Sequence, residues 1–216
     1  NYEKIQENLK YLKASTSVHT HADLIIGLPG ETVESFGQGF DALAALHTDE
    51  IQVGILKRLK GTPIIRHDRN FEMVYSDQPP FQILQTKAIP YTEMQIMARF
   101  AKYRDIVANS GQFTTTMNFL KQSDSLFSVF MKLSAFMQKR HADSYGISLL
   151  NLTESLWLFL RQELILEETV ARELIIQDYS VLGKRDFPKF LRTDLTNPSK
   201  AAKNSLRTRQ EKHLRQ

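Results

Sequence analysis

The chain has 216 residues, of which 42% are hydrophobic and 24% charged, and it carries a net charge of +4. That length can bury a sizeable core in one or two domains, and no apolar run is long enough to span a membrane. The absence of cysteine excludes disulfides and gives secretion no support, so a cytoplasmic location is the expectation.

Tyr2 to Lys13 predicts a helix, because Ile5, Leu9 and Leu12 recur at helical spacing. The charged, amphipathic start does not read as a signal peptide. Ala14-Ser15-Thr16-Ser17 breaks the pattern, and Val18 to Leu28 predicts a strand. The stretch Leu24-Ile25-Ile26-Gly27-Leu28 is continuously apolar, which suits a strand buried on both faces. A short buried helix has the same pattern, but the Pro29-Gly30 stop favours the strand. Gly27 leaves room for a ligand or for another part of the chain. Thr32 is the expected N-cap of a helix from Val33 to Leu46, with Glu34 in its first turn. Gly37 and Gly39 weaken that helix and mark close packing. Ile51 to Leu59 predicts a second strand, ended by Lys60-Gly61-Thr62-Pro63. The order helix, strand, helix, strand is one parallel βαβ unit. Two strands are too few for a complete sheet.

The segments Phe71–Tyr75 and Phe81–Thr86 then predict a small hairpin around Ser76–Pro80. Helices are expected from Tyr91 to Ala108, with Thr92 and Gln95 as a capping box, and from Thr115 to Lys121. A longer one runs to Arg140 from a cap at Ser123 or Asp124. Two more follow, one capped by Thr153 and running to Glu163, the other from Glu167 to Leu182. Asp143 to Gly146 reads as a loop. The Phe, Met and Trp stripes fit core packing better than a cofactor pocket. The fold class is therefore α/β followed by mainly α. The tail from Asn197 is polar and basic.

The wording of two segments is more particular than their periodicity. "DLIIGLPGET" (Asp23–Thr32) resembles the fifth-strand motif of radical S-adenosylmethionine (SAM) enzymes, and "IQVGILKRLKGTPI" (Ile51–Ile64) looks like the sixth and last strand of their partial TIM barrel. Pro79-Pro80-Phe81, Asn109–Phe113 and Asp178-Tyr179 with Leu182–Arg185 resemble an uncharacterised C-terminal domain. That domain follows the barrel in cobalamin-binding radical SAM proteins. The resemblance implies residues 1–66 as the end of the barrel, 67–196 as a hairpin and helical domain, and 197–216 as a flexible basic tail. It implies an enzyme whose reduced [4Fe–4S] cluster cleaves SAM to a 5′-deoxyadenosyl radical, with cobalamin in the intact protein and radical methyl transfer or related chemistry. Its cluster sits on three cysteines after the first barrel strand, and this chain has none. The expected partner is thus an N-terminal part of the same protein, and this chain alone is expected to be inactive. Ile25, Ile26, Gly27, Leu28 and Pro29 would meet the adenosyl end, and Lys57 would contact SAM or an unknown substrate. The helical domain would cover the barrel mouth or shape the substrate site.

Other groups have plainer readings. His19 and His21 share a strand face, but no third metal ligand is evident. Lys57, Arg58 and Lys60 cluster at a strand end, where they meet an anion or solvent. Glu31 reads as a ligand contact or, more simply, as a helix-dipole residue. Lys200, Lys203, Arg207, Arg209, Lys212 and Arg215 could attract RNA, but no aromatic residue interleaves them. The rival to the enzyme is a non-enzymatic helical module that binds a protein or RNA partner.

Overall fold

The computed structural model describes residues 2–46, 48–142, 146–181, 183 and 188–191. The basic tail and Lys184-Arg185 lie outside the described residues, as does most of the loop expected at Asp143–Gly146. Seven helices and four short strands occur in the described part.

Helix α1 (Tyr2–Ser15) leads into strand β1 (His21–Ile26). The strand is shorter at both ends than the apolar pattern predicts. Thr20 is held out of it by Asp49, whose Oδ2 accepts from the Thr20 N–H and hydroxyl, both at 2.8 Å. At the other end Gly27 turns away with φ +92°. Asp49 also meets Lys13 of α1 at 2.6 Å. The Lys13 ammonium, with the Thr20 donors, holds the Asp49 carboxyl well below the usual carboxylate range. A depressed folded pKa contributes stability that is complete above the unfolded value near 3.8 and is lost as pH falls below it. Asp49→Asn should therefore flatten the loss of stability below that pH in acid titrations followed by circular dichroism. An unchanged acid limb would refute this linkage.

Helix α2 (Val33–Ala44) begins at Thr32 as expected. The Thr32 hydroxyl accepts from Ser35 N–H at 3.0 Å, and Thr32 N–H donates to Ser35 Oγ at 2.9 Å, closing a reciprocal box. Strand β2 (Glu50–Ile55) then lies parallel to β1, from His21 opposite Glu50 to Ile26 opposite Ile55. Beyond β2 the chain pairs with a hairpin of β3 (Val74–Tyr75) and β4 (Ile83–Gln85). Leu56 O accepts from Ile83 N–H at 2.9 Å, and Arg58 N–H donates to Phe81 O at 2.9 Å. That turn toward the hairpin is why β2 stops short of the predicted Leu59.

The parallel pair is covered on one face only. Ile26 and Ile51 are buried in the core, with Leu24, Val53 and Ile55 packed against it. His21, Asp23, Ile25, Gln52 and Gly54 on the other face are exposed. Burial on both faces, expected from the continuous apolar run, is thus corrected: Ile25 is 42% exposed. The run satisfies only half its burial among the described residues, because α2 and α3 pack with the opposite face.

The helical part consists of α3 (Tyr91–Arg104), a π turn at Asp105–Asn109, α4 (Thr114–Leu120), α5 (Leu126–Arg140), α6 (Leu149–Gln162) and α7 (Glu168–Val181). Three expected caps are corrected. Helix α3 starts at Pro90 without a side-chain cap, so Thr92 and Gln95 form no box. Ser125, not Ser123 or Asp124, caps α5, and Ser148, not Thr153, caps α6. Thr153 lies within α6 and donates to Leu149 O at 2.7 Å. Several cap-competent residues stand close together in these stretches, and the one used is set by where the chain meets the core. Phe36 and Phe40 of α2 pack around Phe100 of α3 and Phe127 of α5. Gly37 permits this approach, since a Cβ there would sit 2.5 Å from the Phe127 ring. Gly39 faces open space and has no such role. One continuous core runs from Ile26 and Ile51 through Met94, Phe100 and Phe130 to Leu156 and Ile175. The Phe and Met stripes are therefore core.

Candidate functional site at the strand ends

Both parallel strands end on the same side, where α/β sheets bind ligands. The corner after β1 is a tight turn, with Glu31 N–H donating to Leu28 O at 3.1 Å. The space at Gly27 is taken by the chain itself: a Cβ there would lie 2.8 Å from Ile83 Cγ2 and 3.3 Å from Met94 Cε. Ile26 and Gly27 are buried, Pro29 is half-buried, and Ile25 and Leu28 are exposed. Of the apolar corner residues, then, only Ile25 and Leu28 offer substantial side-chain surface. Glu31 closes the corner and is half-buried. Burial raises its pKa, opposed by the backbone N–H groups of Gly27 and Leu28. Its Oε2 is buried without a hydrogen-bond partner. Glu31 is thus more enclosed than a solvated helix-dipole residue.

Lys57 is exposed, and its backbone bridges to Gln82 of the hairpin. Its neighbour Arg58 meets Asp68 at 3.3 Å and lies over the Tyr75 ring at 5.5 Å. Arg58 lines an open cleft of about 820 Å³ between the segment after β2 and the hairpin. Tyr75 and Phe81 form part of its far wall. Sequence reasoning did not assign these two aromatics to a site. The Pro79-Pro80-Phe81 motif was visible, but the Arg58–Phe81 backbone bond that brings the walls together was not. His19 and His21 both approach Glu50 at 3.7 Å. Among the described residues no group of three or more His, Cys, Asp or Glu is arranged to hold a metal ion.

The later motifs have structural roles. Arg104 is buried and donates to Ile51 O and, at 2.7 Å, to Asn109 Oδ1, tying the π turn to β2. Burial lowers its pKa to about 10, so it stays charged near neutrality. Asp178 of α7 accepts from Thr115 N–H at 2.6 Å and Thr116 N–H at 3.0 Å, capping α4 from across the bundle.

No helix among the described residues is long and apolar enough to cross a membrane. Residues 69–216 match the sequence model of a family described as a protein of unknown function (DUF4080). No curated protein matches the chain.

Proposed function

The chain belongs to the DUF4080 family of proteins of unknown function, and from that premise we propose that it is the C-terminal portion of a radical SAM enzyme. In this reading β1, α2 and β2 are the last βαβ unit of the partial barrel, and the rest is its accessory domain. The one-sided parallel pair supports the reading best. Helices cover one face of β1 and β2, and the other presents His21, Asp23, Ile25 and Gln52 unpacked. All-parallel sheets are normally buried on both faces, so an open face calls for further barrel.

Ile25 and Leu28, both exposed at the corner, fit apolar contact with an adenosyl group. Ile26, Gly27 and Pro29 hold the backbone of that wall. SAM supplies radical chemistry through its adenosyl group when it is activated by an iron–sulfur cluster. The cluster does not fit this chain, which has no cysteine, and its ligands belong to the preceding part of the protein. No residue here is assigned to cobalamin, and Lys57 remains a candidate for contact with SAM or with substrate.

The coding frame upstream tests the proposal. A Cys-x-x-x-Cys-x-x-Cys run is expected there, and a start codon at α1 would overturn it. Iron and sulfide added to this chain alone should give no cluster absorbance; a stoichiometric [4Fe–4S] spectrum would also overturn it. In the intact enzyme Ile25→Asp should weaken SAM binding about tenfold, which corresponds to a lost apolar contact of ~1.4 kcal/mol. Unchanged affinity would remove Ile25 from the adenosyl wall.

A further inference from the structure

The cleft at the end of β2 has three features that ordinary surface does not need. First, it gathers large apolar side chains left open to solvent: Leu59 is 60%, Ile65 56% and Phe81 42% exposed. Second, Phe81 has a φ of +56°, in the left-handed region that large residues avoid. Its backbone is clamped there, its N–H donating to Gln78 O at 2.8 Å and its O accepting from Arg58 N–H at 2.9 Å. A strained residue that is still 42% exposed recovers only part of that cost by burial. Third, two cations share the same walls. Arg58 is steadied by Asp68 and the Tyr75 ring. Lys60 makes no ion pair among the described residues. One carboxylate, Asp77, lines the cleft with them.

We propose that this cleft binds a small organic monoanion with a flat apolar body. The ring packs on Phe81, Leu59 and Ile65, and the anionic group meets Lys60 with the edge of Arg58. Phe81 lines the cleft and supplies aromatic surface against which a planar ligand can pack. Arg58 is already paired with Asp68, which leaves Lys60 and Asp77 as the other charges on the cleft walls, so a monoanion at Lys60 suits the site better than a polyanion. At about 820 Å³ the cleft is in the range of small-molecule sites. The cleft lining does not include Ile25 or Leu28, so its test is separate from that of the adenosyl wall.

Indole-3-acetate and tryptamine are matched probes, one anionic and one cationic, with the same ring. They can be titrated into the isotopically labelled full chain while backbone amide shifts are followed by NMR. Indole-3-acetate, with roughly 13 non-hydrogen atoms at ~0.3 kcal/mol each, should saturate with a Kd of about 1 mM and move the amides of Gly61, Ser76 and Phe81. Tryptamine should bind at least about fivefold more weakly. Lys60 is exposed, so Lys60→Glu leaves the fold intact and should reverse the order of the two probes. Phe81→Ala should weaken indole-3-acetate about fivefold. Equal binding of the two probes, an unreversed order in Lys60→Glu, or no saturable shift at about 10 mM would overturn the assignment.

Discussion

Gly27→Ala should destabilise the protein by about 3 kcal/mol, read as a lower midpoint with an unchanged slope in urea denaturation. Two costs combine. Gly27 has a φ of +92°, a conformation that side chains other than glycine's rarely adopt. The added Cβ would also fall 2.8 Å from Ile83 Cγ2. Ile83 is 2% exposed, and its Cγ2 is a branch methyl, not the loose end of a long side chain, so it has little room to yield. The two costs separate in a double-mutant cycle. Ile83→Ala is itself destabilising, but in that background Gly27→Ala should cost only the backbone strain, about 1 kcal/mol. Equal costs in both backgrounds would show that the Ile83 contact is not what restricts position 27. The same contact joins the strand end to the hairpin, so loosening it should also disturb the corner that carries Ile25 and Leu28.

Asp178→Ala should cost about 3 kcal/mol, with Asp178→Asn costing about 1 kcal/mol. Asp178 is 3% exposed and holds two N–H groups at the start of α4. Removing the carboxylate leaves the buried Thr116 N–H without a partner, while asparagine keeps one acceptor oxygen. Hydrogen exchange at Thr115 and Thr116 should accelerate in Asp178→Ala before the rest of the bundle responds. A change below ~0.5 kcal/mol, typical of an uninvolved surface site, would refute the cap. The result bears on the whole helical part, because Asp178 connects α4 to α7 across 63 positions of sequence. Asp41 does the same for the start of α5, accepting from Ser125 Oγ at 2.6 Å and Phe127 N–H at 2.7 Å.

The parallel βαβ order was legible because a continuous apolar run, a Pro-Gly stop and a Thr cap all act within a few residues. So were the hairpin and the helical stripes, which depend on periods of two and near four. The caps of α3, α5 and α6 were misplaced because cap chemistry is satisfied by several neighbouring Ser, Thr and Asp residues. The site was legible only in part. The glycine at position 27 signalled close approach, but not that Ile83 and Met94 make it. Arg58 was noticed as a charge at a strand end. Its stacking on Tyr75 and its backbone bond to Phe81 join segments more than 15 residues apart, and no spacing rule reaches that far.

By itself, then, the sequence determined the local elements, the direction of the strands and the absence of any cysteine ligand. Tertiary structure decided which face of those strands is covered, that the hairpin continues from the second strand, and that Asp41, Arg104 and Asp178 serve as ties between distant elements. The physical reason is the range of the forces. Turn chemistry and hydrophobic period act along the chain within one or two turns. The burial of Ile25 against that of Ile26, or the pairing of a carboxylate with a helix end 63 residues away, depends on how whole elements pack.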